Sequence, residues 1–350
     1  MRRGMGLLNL VSGRPLDTAD SAPSWRSFVQ IFAGVFFGAV AILSAIILLA
    51  DPYDIGFFPS VLGPGVADLN QQTNSVSRGR DSRFNAAVFG NSHGQLINPD
   101  LLSKATGLRF IQLTSPGSGP HEHMTLMRYF IRNRPHVSAI VLAADPSWCT
   151  HDPALPTLYP FPLWLYSGSR LEYLANILST RSLSAVRQRI QLARGKLAAV
   201  DPAGFWDYEA GRPWTFRPAA PADANAPLPA AAPTQVDASF PAITQFDRLL
   251  ATVPDDTALV IVMPPQFYSE LPRAGTRAAA ELALCKAELA RRVERRAHSG
   301  FLDLLIDSPL SRDPANFMDA DHYRYGVAHL IEDRIAAILL PARSEDGETR

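Results

Sequence analysis

The stretch from Phe28 to Ala50 constrains this chain more than any other. It reads FVQIFAGVFFGAVAILSAIILLA and carries no charge. As a helix it reaches roughly 34 Å, enough to cross a hydrocarbon core of about 30 Å. A buried core helix is the plainer alternative, and the length and the absence of charge argue against it. Residues 28–50 therefore read as a transmembrane helix. The rival is a cleaved signal peptide, but the run exceeds a usual signal core and Leu48-Leu49-Ala50 is a poor small-x-small cleavage site. Arg2, Arg3, Arg14 and Arg26 precede the helix against Asp17 and Asp20. After it come Asp51, Asp54 and Asp68, with no Lys or Arg before Arg78. The positive-inside rule makes 1–27 a cytoplasmic tail and puts 51–350 on the far side. The Ala/Arg/Pro-rich composition fits a bacterial source. The expectation is a single-pass inner-membrane protein with a periplasmic main domain.

Of the 350 residues, 47% are hydrophobic and 19% charged, so a sizeable core is available. The 33 basic and 33 acidic side chains cancel, and no basic stripe appears, which argues against nucleic acid as a partner. Cys149 and Cys285 both lie in the exported part. A disulfide is allowed in an oxidising compartment. Two residues give no spacing pattern, so two free thiols is the simpler reading.

Residues 51–84 read as an extended connector, with turn chemistry in D-P-Y-D and L-G-P-G. Strands and helices then alternate. Strands are expected at Asn85–Gly90, Leu108–Thr114, Val137–Ala143, Ala258–Met263 and Gly300–Leu305. Helices are expected at Pro99–Ala105, Pro120–Asn133, Pro241–Thr252, Ala274–His298 and Tyr323–Leu340. An insertion, 150–235, interrupts them with helical stretches near Leu171–Leu178 and Leu183–Ala199 and an Ala/Pro-rich spacer from 218 to 233. Residues 343–350 read as a disordered tail. The pattern predicts an α/β domain over 85–342, a three-layer doubly wound parallel sheet of five strands, flavodoxin-like. Ligands of such sheets sit beyond the carboxyl ends of the strands. Ser92, Gly117, Asp145, Pro264 and the 306–322 loop all follow strand ends and so share one edge.

Ser92 lies in G-N-S-H just after the first strand. Asp319 and His322 form a D-x-x-H ahead of the last helix. A hydroxyl becomes a useful nucleophile when a base takes its proton and a third group orients the base. The chain order Ser, Asp, His is one known arrangement. Each residue also has a plainer reading. Ser92 could cap a turn, His322 could pack, and Asp319 could cap the last helix. Asp321 rivals Asp319 but sits directly beside His322. His121 and His123 flank Glu122 at a helix start, where residues two apart diverge, so no metal site is expected. No cofactor is implied either. Trp148, Trp164, Trp206 and Trp214 lie in or beside the insertion, where packing is favoured over stacking on sugars.

These blocks resemble the SGNH (GDSL-type) hydrolase superfamily, in particular its membrane-anchored bacterial members. The resemblance covers roughly 51–340, and its motifs are short. G-N-S-H, Gly90 to His93, matches the first block, with Asn91 where Asp is usual. Gly117 in T-S-P-G-S-G matches the second, with Gly119 as a rival. A-A-D-P, Ala143 to Pro146, stands where G-x-N-D is usual. D-A-D-H, Asp319 to His322, matches the last. The resemblance implies Ser92 as nucleophile, His322 as base and Asp319 as its orienting partner. It implies oxyanion donors at the Ser92 and Gly117 N–H groups and an Asn side chain as the third, whose place Asn91 or another backbone N–H would take here. Asp145 would line the substrate pocket, and His93 would line it or pack under it. Asp145 replaces the family's Asn, and an ionised carboxylate cannot donate. The implied activity is hydrolysis or transfer of acyl esters, acetyl foremost, on envelope glycans. A membrane O-acyltransferase is the implied protein partner. The alternative is an inactive SGNH-like accessory protein that binds a glycan or such an acyltransferase.

Overall fold

The computed structural model describes residues 24–67, 69–154, 160–218 and 238–340. Most of the 1–27 tail, nearly all of the 218–233 spacer and the 343–350 tail lie outside them. The chain divides into two compact units, 1–46 and 47–350.

The first unit holds most of helix α1 (Trp25–Ala50). Phe28, Phe32, Phe36, Ile42 and Ile46 are all exposed. The helix is long and apolar enough to cross a membrane. Its last turn, Ile47–Ala50, belongs to the second unit, where Ile47 and Ala50 are buried.

In the second unit the elements run α2 (Gln71–Arg80), β1 (Ala86–Gly90), α3 (Pro99–Thr106), β2 (Phe110–Thr114), α4 (Pro120–Arg132) and β3 (Ala139–Ala143). The short α5 (Ser147–Thr150) leads into the insertion, which supplies α6 (Leu163–Tyr166), α7 (Arg170–Asn176) and α8 (Thr180–Ala193). Then come α9 (Pro241–Leu250), β4 (Ala258–Met263), α10 (Arg277–Arg291), β5 (Gly300–Asp303), α11 (Pro309–Arg312) and α12 (Tyr325–Leu339). The five strands form one parallel sheet in the order β2-β1-β3-β4-β5. Alternate residues feed two cores. Ala87 and Phe89 join Met127, Phe130 and Phe246 on one face, and Ala86 and Val88 join Leu102, Ile331 and Ile335 on the other. Burial on both faces is why the strands read as continuous apolar runs. The chain runs outward from β1 to β2 and returns to β3 on β1's other side. That reversal opens a crevice at the carboxyl ends of β1 and β3.

The 51–84 connector is not extended. Asp51 accepts the N–H groups of Ile55 (2.9 Å) and Gly56 (2.8 Å), and Asp54 pairs with Arg80 at 2.8 Å. Tyr53 and Ile55 are buried, so the segment is part of the core. It also contains α2, whose QQTNSVSRGR has no apolar periodicity. Asn70 caps it by accepting the Thr73 N–H at 2.8 Å, and Thr73, Asn74 and Ser75 are buried polar groups.

The expectation of two free thiols is also corrected. Cys149 of α5 and Cys285 of α10 form a disulfide, with Cα atoms 5.6 Å apart. They are 136 residues apart in sequence, and the sheet's connections bring them together.

Candidate active site

The turn after β1 depends on two glycines. Gly90 has φ +155°, and a Cβ there would lie 2.9 Å from the Ala143 carbonyl oxygen. A Cβ on Gly94 would lie 2.9 Å from the Ala143 Cβ. Lacking side chains, both press against the end of β3. Between them Ser92–Gly94 makes a single 3₁₀ turn, entered through Asn91, whose Oδ1 accepts the His93 N–H at 3.0 Å.

Ser92 Oγ lies 2.9 Å from His322 Nε2, and His322 Nδ1 lies 2.9 and 3.0 Å from the two Asp319 oxygens. A carboxylate only accepts, so Nδ1 carries the proton and the Nε2 lone pair faces the serine hydroxyl. Asp319 Oδ1 also accepts the N–H groups of Asp321 (2.9 Å) and His322 (2.8 Å), which fixes the D-x-x-H loop. Burial works to raise the Asp319 carboxyl. The hydrogen bond and charge of His322, with those N–H groups, outweigh it and hold the group below its ordinary range. The rival Asp321 is occupied by Gln266, which donates to it at 3.1 Å. Asp319 does not cap the last helix. That helix begins at Tyr325, whose N–H is capped by Glu209 at 2.6 Å.

Asn91, His93 and Asp145 form a layer behind these groups. The His93 ring stacks on His322, with centroids 5.3 Å apart and 12° between planes. Its Nδ1 donates to Asn91 Oδ1 at 2.9 Å and lies 3.6 Å from Asp145. Burial works to lower His93, and Asp145 outweighs it, so the imidazole titrates above its usual value. Burial works to raise Asp145; His93, and then Ser147, outweigh it and hold the carboxyl far below its usual range. Asp145 accepts from Asn91 Nδ2, from Ser147 Oγ and, at 3.0 Å, from the Ser147 N–H. The Asn91 amide also donates to the Ser118 carbonyl at 3.4 Å. Both Asn91 hydrogens therefore point into the protein, and neither Asn91 nor Asp145 offers a side-chain donor to the Ser92 hydroxyl. The backbone N–H groups of Ser92 and Gly117 enter no hydrogen bond among the described residues, and Gly117 has φ +69°.

His121 and His123 diverge. His121 Nδ1 donates to the Pro153 carbonyl at 2.7 Å. His123 accepts the Trp148 indole N–H at 3.1 Å and donates through Nε2 to Ser118 Oγ at 3.0 Å. Among the described residues no group of three or more His, Cys, Asp or Glu is arranged to hold a metal.

The triad opens into a cleft of about 240 Å³, walled by Gln95, Pro116, Trp206, Tyr208, Arg212 and Trp214. The last four belong to a strap, residues 201–216, from the insertion. Trp148 and Trp164 pack, the first fully buried against Phe246 and the second on Tyr53. Trp206 and Trp214 face the cleft instead. Burial, and secondarily Asp319, push the Tyr208 phenol well above its usual value.

Gln95 escapes a reading by motifs. Its backbone N–H bonds to the Ser92 carbonyl at 3.2 Å, and side chains three apart on a 3₁₀ turn share a face. Gln95 is 1% exposed, lines the triad cleft, and its Nε2 has no hydrogen-bond partner among the described residues. The signal in the sequence is the spacing S-H-G-Q after a strand-ending glycine.

A larger cavity of about 870 Å³ lies beside β5. Its Lys286 is held by Asp303 at 2.9 Å and the Leu305 carbonyl at 2.5 Å, and its Ser269 hydroxyl donates to the neighbouring Glu270 at 3.1 Å with no histidine on the wall. No family model and no curated protein matches the sequence.

Proposed function

We propose that this chain is a membrane-anchored serine esterase or O-acyltransferase of the SGNH type, acting on acyl esters of envelope glycans. The observation that carries the reading is the continuous relay from Ser92 Oγ through His322 to Asp319, open to a cleft at the sheet's switch point. Ser92 Oγ attacks the acyl carbonyl while His322 Nε2 takes its proton. The tetrahedral intermediate collapses, and His322 returns that proton to the departing alcohol. Water or a sugar hydroxyl then attacks the Ser92 ester, with His322 again as base, and the free serine is restored. The oxyanion draws on the Ser92 and Gly117 N–H groups, with the Gln95 carboxamide taking the donor role that Asp145 cannot. Such donors contribute about 3 kcal/mol each. A cleft of about 240 Å³ suits an acyl group as small as acetyl. The apolar helix, the flanking arginines and the disulfide support an anchored protein with its second unit in the periplasm.

The test uses the full-length chain in detergent micelles. It should release p-nitrophenol from p-nitrophenyl acetate, and Ser92→Ala should abolish the release. Equal rates from both proteins would sink the assignment. A second reading has one observation in its favour: the turn after β3 offers an acceptor, Asp145, in place of a donor. On that reading the chain is an inactive accessory protein that binds a glycan or a membrane acyltransferase. A fluorophosphonate probe separates the two, because it labels a Ser92 activated by His322 and leaves an inert serine unmarked.

A further inference from the structure

The triad cleft does not end at the strap. A second cleft of about 700 Å³ shares Pro116 and Trp206 with it as walls. This second cleft runs past the carboxyl end of β2 to the start of α2, where Asn70, Gln71 and Gln72 line it opposite Asp201 and Phe205. We propose that it is the binding groove for an uncharged sugar chain whose acyl ester lies at Ser92. The inference rests on the esterase reading and supplies its missing acceptor site.

Trp206 is 48% exposed in a strap that is otherwise fastened down. On one side the Ala203 carbonyl accepts the Gln112 N–H of edge strand β2 at 2.7 Å. Gly204, at φ +88°, sits so close that a Cβ would fall 2.7 Å from the Gln112 carbonyl oxygen. On the other side Glu209 holds Arg324 Nε and the Tyr325 N–H, each at 2.6 Å. An indole held on both sides loses little freedom when a ring stacks on it. Its flat apolar face suits the C–H face of a sugar.

The polar wall suits the hydroxyl edge of the same ring. Asn70 uses its oxygen to cap α2, and Gln71 uses its oxygen to accept from Arg78 at 2.7 Å. Among the described residues their NH₂ ends enter no hydrogen bond and remain as donors. Arg78 donates to the Gln71 oxygen and, at 3.2 Å, to the Asp201 carbonyl. The exposed Asp201 carboxylate adds a negative charge at the groove. Arg78 and Asp201 bring one charge of each sign to the groove, which gives a charged chain no net attraction, whereas an uncharged one meets amides and aromatic rings. The volume lies within the range of about 300–1,000 Å³ usual for ligand sites.

The experiment titrates full-length Ser92→Ala protein, in a detergent without a sugar headgroup, with an O-acetylated cello-oligosaccharide by calorimetry. Saturable binding is expected. Trp206→Ala should weaken it by about tenfold or more, and Trp206→Tyr should restore most of the affinity. Gln72→Ala, on a different element, should weaken it about threefold. Absent binding, or binding indifferent to both Trp206→Ala and Gln72→Ala, overturns the groove. Tighter binding of an acetylated polyuronate of equal length overturns the uncharged class. Binding is read here without turnover, so its failure leaves the p-nitrophenyl acetate result standing. A failed ester assay likewise leaves the titration valid.

Discussion

Ser92, Asp319 and His322 meet the cleft, while Asn91, His93, His123 and Asp145 stand behind them, and the two groups are built differently. The front group is open: the Asp319 side chain is 52% exposed and that of His322 29%. The rear group is closed, with His123 fully buried, Asn91 5% exposed and Asp145 9%. Charges placed in the rear must be paired, because an isolated buried ion costs far more than its partner's removal from water. The front needs only enough contact to orient an imidazole and a hydroxyl. Changes in front should therefore cost rate, and changes behind should cost stability.

The largest expected effect tests the front. Ser92→Ala should lower kcat/KM for p-nitrophenyl acetate by at least about 10⁴-fold. Its thermal midpoint should stay within about 2 °C of the parent, since no core volume is lost. A large drop in the midpoint would erase the distinction between the two layers.

Next comes the rear. Asp145→Ala leaves His93 buried beside Asn91 without its counter-charge, and the expected loss is about 3–5 kcal/mol in denaturant unfolding. A variant that kept its stability and lost only activity would move Asp145 into the front group. The disulfide acts on the same layer from outside. Cys149 sits on the short α5 that Ser147 begins, and Cys285 ties that helix to α10. Replacing both cysteines with Ser frees a long loop in the unfolded chain, and a loss of roughly 2–5 kcal/mol is expected by the same measurement. No loss would mean that α5 is held by packing alone.

How far the sequence announces these layers follows from the forces involved. The strands are legible because burial on both faces leaves apolar runs such as Ala258–Met263. The meeting of Ser92, Asp319 and His322 is legible because strand ends of a parallel sheet share one edge. Asp145 shows only as a departure from a motif, since Ser147 lies across a turn from it and its partners Asn91 and His93 belong to another strand's loop. The polar α2 hides because its helix rests on a cap and on buried hydrogen bonds. Trp148 and Trp206 look alike in composition. One fills a core and the other walls a cleft, and only the path of the strap separates them. The disulfide is a property of topology, which two isolated cysteines do not reveal.

The smallest effect separates the two buried imidazoles within the rear layer. Burial lowers His123 to about 4, and Asp145 and Glu122 recover only part of that shift. Between its ordinary value near 6.5 and about 4, the unfolded chain binds a proton at this residue that the folded chain refuses. Stability must then fall as pH drops through that window, by at most about 1.4 kcal/mol per pH unit. His93 has the opposite sign. Its folded value is raised, so its contribution is complete below about 6.5 and fades as pH rises through the folded value. His123→Gln should therefore flatten the acid side of the stability profile, and His93→Gln the alkaline side, each measured by thermal unfolding of the full-length protein from pH 4.5 to 9 (an interval set about the ordinary imidazole value). Both variants flattening the same side would show that the imidazoles share one environment. The pairing of one with Asp145 and of the other with Trp148 would then not govern their charge.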